Sequence, residues 1–155
     1  MADSKSSTNS QTVIAEKLGV VLASTNTLQL KTQNFHWNVT SPHFGALHKL
    51  FDDQYNELFA AVDQVAERIR ALGAFSPGSY AEFSKLSEIK DAPSKPPADM
   101  VMIKTLADDN EKMSKLCNDV GSFADDADDR ATGDMMNGRI EAHDKAAWML
   151  RAHLQ

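Results

Sequence analysis

Between Leu47 and Leu72 the apolar residues recur at alternating intervals of three and four: Leu47, Phe51, Tyr55, Leu58, Val62, Val65, Ile69 and Leu72. No strand sustains that period. It is the buried stripe of one long amphipathic helix over about seven turns. Gly73 follows as a C-terminal cap, so the helix should run from about His43 to Leu72. A helix this long must lay its stripe against other helices, which directs the search along the rest of the chain.

Three more segments supply them. From about Ser10 a stripe runs Ile14, Leu18, Val21, Thr25, Leu28, Thr32, Phe35, Val39, and should stop before Ser41-Pro42. A third follows Pro97, expected in its first turn, through Met102/Ile103, Leu106, Met113, Leu116/Cys117 and Val120. A fourth follows the acidic run Asp125 to Asp129 and carries Met135/Met136, Ile140, Ala147 and Leu150/Leu154. Acids just before a helix suit its positive end. The connection over 73–96 is long, with a short helix expected between Tyr80 and Ile89. Such a connection lets the third helix run parallel to the second. The expected fold is all-α: a four-helix bundle of ferritin-like type over residues 10–155, with a short extra helix in the long connection. Residues 1–9, polar and small, are expected to be a flexible tail.

Composition excludes several classes. No apolar run is long enough to span a bilayer, and MADSKSSTNSQ lacks the apolar core of a signal peptide, so a cytoplasmic protein is expected. The lone Cys117 cannot pair within the chain and reads as a small buried hydrophobe. A net charge of −6 disfavours a general nucleic-acid binder and suits a protein that handles cations.

Chemistry concentrates on the second helix. His48 with Asp52, and Asp63 with Glu67, are four residues apart and share a face. These are donor types for iron or a related transition metal. His36, near the end of the first helix, comes level with His48 across the tight turn, so His36, His48 and Asp52 are expected to converge. Asp52 and Asp63 point the same way, about 20° apart around the helix, but lie about 16 Å apart along it. They cannot share a metal within one chain. A two-fold axis near residues 57–58 removes the difficulty. His36, His48 and Asp52 of one chain then face Asp63 and Glu67 of another, and two equal sites form per dimer.

That pattern is His-Trp, a second His twelve residues after the first, then Asp, Asp and Glu at intervals of four, eleven and four. It resembles the ferroxidase signature of the Dps family, the mini-ferritins also called DNA-binding proteins from starved cells. The resemblance extends over nearly the whole chain and includes the acidic run and the Asp144-Lys145 and Trp148 cluster. It implies a homododecameric cage of tetrahedral symmetry built from dimers, with two irons per inter-subunit site. Fe(II) would be oxidised there by hydrogen peroxide, more slowly by O2, and the ferric product stored as mineral. It also implies that Trp37 takes up stray oxidising equivalents, and that Asp126, Asp129 and Asp134 line cation pores, where acids would concentrate the incoming ion. No Glu-x-x-His occurs, which argues against a conventional ferritin site inside one bundle.

The alternative is a DNA-compacting, nucleoid-associated protein with secondary iron binding. The N-terminal segment has one lysine against one aspartate, and the acidic surface opposes DNA. Other residues receive plainer readings. His43 belongs to the turn, His143 and His153 to the surface or an interface, Trp148 to the core or the edge of the site. The methionines sit mostly at core spacing.

Overall fold

The computed structural model describes residues 2–155, with side chains from Asn9 onward. The expected tail falls on residues 1–9, so its side chains lie almost wholly outside the described ones. Five α-helices are present: α1 (Ala2–Asn38), α2 (Phe44–Ala71), α3 (Tyr80–Leu86), α4 (Asp99–Asp126) and α5 (Arg130–Arg151), then a 3-10 turn at Ala152–Leu154. There is no strand among the described residues, and no helix is long and apolar enough to cross a membrane.

The contacts fix the arrangement. Lys17 lies over the Phe123 ring and Lys31 pairs with Asp109, so α1 and α4 are antiparallel. Gln54 reaches Ala146, Glu57 reaches Arg139 and Arg68 reaches Asp129, so α2 and α5 are antiparallel. Arg151 with Asp108, Asn110 with His143 and Gly121 against Met136 make α4 and α5 antiparallel as well. The helices therefore form a ring in the order α1, α2, α5, α4. The diagonal pair α2 and α4 run parallel, as the long connection led us to expect.

The stripes fill the centre. Every expected position of the first stripe from Ile14 to Val39 is buried, including Thr25 and Thr32, whose hydroxyls bond back to Val21 O and Leu28 O at 2.8 Å. On α2, Leu47, Phe51, Leu58, Val65 and Ile69 are buried, while Tyr55 is only half-buried. Cys117 is fully enclosed, and burial pushes its thiol up to about 12.

Local signals set the ends. Gly73 adopts φ +89, a left-handed value that costs glycine little, and its N–H bonds Arg70 O. Ser79 and Glu82 form a full capping box on α3. The backbone N–H of Glu88 bonds the buried Ser24 hydroxyl at 2.9 Å, and Ile89 enters the core, which ties the long connection to α1.

Three expectations need correcting. Pro97 lies before the N-cap Ala98, outside α4, because Asp99 opens the helix and its carboxylate accepts from Met100 N. The acidic run does not lie wholly between the third and fourth long helices. Asp125 and Asp126 finish α4, and the turn is made at Asp128, whose φ of 59 an aspartate tolerates. Trp148 is 68% exposed, since Ala147 and Leu150 take the inward positions of α5.

Candidate metal centre

His36 and His48 meet across the α1–α2 turn, and they lock each other. The imidazoles stack with centroids 3.7 Å apart and planes 20° from parallel. His36 Nδ1–H donates to the backbone oxygen of His48 at 2.8 Å, and His48 Nδ1–H donates to the backbone oxygen of His36 at 2.9 Å. A carbonyl oxygen can only accept, so each Nδ1 carries the proton. In the neutral ring the Nε2 lone pair is the one left over, the form in which imidazole binds a metal. Both residues are half-buried.

The third expected partner is placed differently. Asp52 lies one turn beyond His48, but its carboxylate is approached by Asn56 Nδ2 at 3.3 Å and by the Tyr55 phenol. That hydrogen bond from Tyr55 to Asp52 is the main reason the phenol is held above its ordinary pKa. Among the described residues no three His, Cys, Asp or Glu side chains meet as a metal site. Of the expected trio, His36 and His48 meet directly, and Asp52 lies one turn further along α2. Asp63 and Glu67 are exposed on the outer side of α2, and neither forms an ion pair among the described residues. Trp37, next to His36, is 62% exposed. The structure therefore brings together two of the expected ligands, leaves Asp52 half-buried one turn away, and leaves Asp63, Glu67 and the indole exposed on the α1–α2 hairpin.

His43 sits at the α2 N-terminus, outside the pair, with its N–H bonded to Ser41 Oγ. His153 lies in the exposed terminal turn. The expected surface position of His143 is wrong. It is 1% exposed, and burial, with the nearby Arg139 charge, pushes its pKa down to about 3. Its Nδ1–H donates to Asn110 Oδ1 at 2.8 Å and its Nε2 accepts from Arg139 at 3.3 Å. Arg139 in turn pairs with Glu57 of α2. Sequence reasoning missed this network, although a signal was present. Met136, His143 and Leu150 repeat at intervals of seven, the inward register of α5.

The three expected pore acids separate. Asp126 and Asp134 are exposed and form no ion pair among the described residues. Asp129 is partly buried and already engaged: it caps α5 through Thr132 N at 3.1 Å and pairs with Arg68 at 2.6 Å. Burial opposes its charge, but the Thr132 and Arg68 hydrogen bonds hold its carboxyl below the usual range.

Comparison with known proteins gives the family. Residues 15–155 match the family model described as a ferritin-like domain. The "DNA protection during starvation protein" of Brevibacillus brevis is 33% identical over 148 residues, covering 96% of this chain and 99% of that relative. The crystal structure of a Dps protein from Bacillus brevis superposes with a TM-score of 0.91 at 31% identity, covering 95% of this chain and 98% of that one. A Dps protein from Vibrio cholerae O1 superposes equally well, TM-score 0.91, at 27% identity over 96% of this chain and 92% of that one. It is described as a member of a broad superfamily of ferritin-like diiron-carboxylate proteins.

Proposed function

The chain belongs to the Dps family of ferritin-like proteins, and from that premise we propose that it is an iron-detoxifying mini-ferritin. It oxidises Fe(II) at sites shared between two subunits and stores the ferric product inside a dodecameric cage of tetrahedral symmetry built from dimers. Hydrogen peroxide is the better oxidant and O2 the slower one. The cell compartment is the cytoplasm.

The observation that carries this reading is the reciprocal lock of His36 and His48. Two backbone carbonyls engage both Nδ1 atoms, so the two Nε2 atoms are the nitrogens left for a metal. The rings are 3.7 Å apart. Asp52 on the same chain, with Asp63 and Glu67 from a second chain, would complete the donor set. All five are nitrogen or oxygen donors of the kind that iron accepts. Exposed carboxylates on one chain and a half-finished histidine pair on the same hairpin are what a shared site requires.

Iron is the substrate here. Two ferrous ions held side by side give two electrons to one peroxide, which takes up two protons and leaves as two waters, so no hydroxyl radical escapes. The protein's part is to hold both ions at once and leave open positions for the oxidant. Trp37 beside the pair would absorb misdirected oxidising equivalents. Asp126 and Asp134, unpaired at the α4–α5 turn and the first turns of α5, would draw cations inward.

Stopped-flow oxidation of Fe(II) by peroxide and by O2, on wild type and the His36→Ala/Asp63→Ala double variant, tests the proposal. Fast peroxide-dependent oxidation in the wild type alone is expected. Equal rates would end it. The mass of the native particle, with its iron content after ferrous loading, tests the cage.

A further inference from the structure

Four aromatic rings line up beside the α1–α2 turn, and the two histidines are the middle pair. His48 stacks on His36 with centroids 3.7 Å apart. His48 also stacks on the Phe44 ring, 4.9 Å away and 27° from parallel. Two such near-parallel rings would collide on one face of an imidazole, so His36 and Phe44 take opposite faces. The Tyr55 ring closes the far end, edge-on to His36 at 5.3 Å and 63°.

Local structure sets the place of Phe44. It opens α2. Residues four apart on a helix are neighbours on one face, and their side chains lean toward the N-terminus, so His48 leans back over Phe44. The backbone beneath is held as well: Phe44 N–H donates to Ser41 O at 3.1 Å, and Leu47 N–H donates to His43 O at 3.1 Å. Phe44 lies seven residues before Phe51, on the line of the buried stripe. Yet Phe51 is fully buried, while Phe44 is 48% exposed. The core of the bundle does not enclose this ring, and the aromatic partner it meets is a candidate ligand.

We propose that Phe44 is a positioning residue of the metal centre: its ring backs the outer face of His48 and holds the imidazole plane, so that Nε2 keeps one direction before an ion arrives. This rests on the iron-site reading above. The bond from His48 Nδ1–H to His36 O, 2.9 Å long, fixes one point of the ring and leaves it free to tilt about that point. His36 on one face and Phe44 on the other remove the tilt. Fixing the ligand beforehand lowers the ordering cost of binding. A phenylalanine that merely extended the stripe would be enclosed like Phe51, and an aliphatic side chain would serve as well.

Phe44→Leu keeps an apolar helix former and removes the flat face, whereas Phe44→Tyr keeps the face. The test titrates Co(II) into the assembled protein and follows its visible absorption, with wild type and His48→Ala alongside. Phe44→Leu is expected to weaken Co(II) binding about three- to tenfold, the range that one aromatic pair supplies, and to shift the absorption bands. Phe44→Tyr should restore both. With Fe(II), KM of the leucine variant should rise by a similar factor while kcat changes less. The metal-free melting temperatures of both variants should stay near that of the wild type. A Phe44→Leu protein with the bands and affinity of the wild type overturns the role of Phe44 and leaves the metal centre standing, and so does a Phe44→Tyr protein that loses as much as the leucine variant. If wild type and His48→Ala titrate alike, the metal centre itself fails and the role of Phe44 goes with it.

Discussion

The two hairpins of this bundle use histidine in opposite ways. In α1–α2, His36 and His48 each commit one nitrogen to a backbone carbonyl and keep the other free at a half-exposed surface. In α4–α5, His143 commits both nitrogens, to Asn110 and Arg139, and is closed off from solvent. The carboxylates follow the same division. Asp63 and Glu67 on α2 stand exposed, whereas Asp129 at the head of α5 is tied to Thr132 and Arg68. One hairpin leaves its polar side chains partly unengaged and the other carries finished hydrogen bonding.

The sharpest way to break this contrast is to remove the binding pair. His36→Ala/His48→Ala should lower Co(II) or Fe(II) affinity by about 100-fold or more, since even indirect partners of metal ligands are worth about 10–100-fold. Its melting temperature without metal should stay near that of the wild type, because both side chains are only half-buried. His143→Leu should do the reverse. It strands Asn110 Oδ1 and one N–H of Arg139 inside the bundle, at about 2–4 kcal/mol in all. Urea unfolding would read the loss, while metal affinity per folded chain stays unchanged. A His143 variant that unfolds no more easily but loses metal would invert the assignment.

The closed histidine also gives the protein a pH signature. Its folded pKa, about 3, lies below the unfolded value of 6.5. As pH falls, the unfolded chain therefore takes up a proton before the folded one. The stabilisation is complete above about pH 6.5 and drains away between there and about pH 3. Between pH 7 and pH 4.5 the loss from this one group is on the order of 2–3 kcal/mol. Urea midpoints measured across that range, at fixed protein concentration, should fall more steeply in wild type than in His143→Leu. Parallel curves would mean that His143 is charged in the folded protein.

The open hairpin was far more legible in the sequence than the closed one, for a physical reason. Its stripe is purely apolar between Leu47 and Leu72, so donors just off it, such as Asp52 beside Phe51 and Asp63 beside Val62, stand out as placed for something outside the chain's own core. The reciprocal histidine lock was not legible, because it runs through backbone oxygens that have no sequence signature. On α5 the inward register itself contains Arg139 and His143. Polar residues at core positions read as surface unless their partners are known, and those partners, Asn110 and Glu57, come from two other helices. Trp148 misled in the opposite sense: an aromatic beside Ala147 suggests burial, yet one residue of offset turns it about 100° outward.

The same division should split the acids near the α4–α5 turn. Asp126, Asp129 and Asp134 are equivalent as sequence, but only Asp129 has structural work. Asp129→Ala removes the α5 cap and leaves Arg68, itself partly buried, without its carboxylate. Losing the cap alone costs about 1 kcal/mol, and the stranded guanidinium should bring the total to about 2 kcal/mol. Asp126→Ala/Asp134→Ala removes two exposed charges with no ion-pair partners among the described residues, so stability should shift by no more than about 0.5 kcal/mol. If these two acids draw cations inward, the double variant should slow Fe(II) oxidation at limiting iron by a few fold. Screening weakens the attraction between exposed charges, so raising the salt concentration should shrink that difference. A salt-independent loss of rate, or a destabilised double variant, would move Asp126 and Asp134 to the structural side beside Asp129.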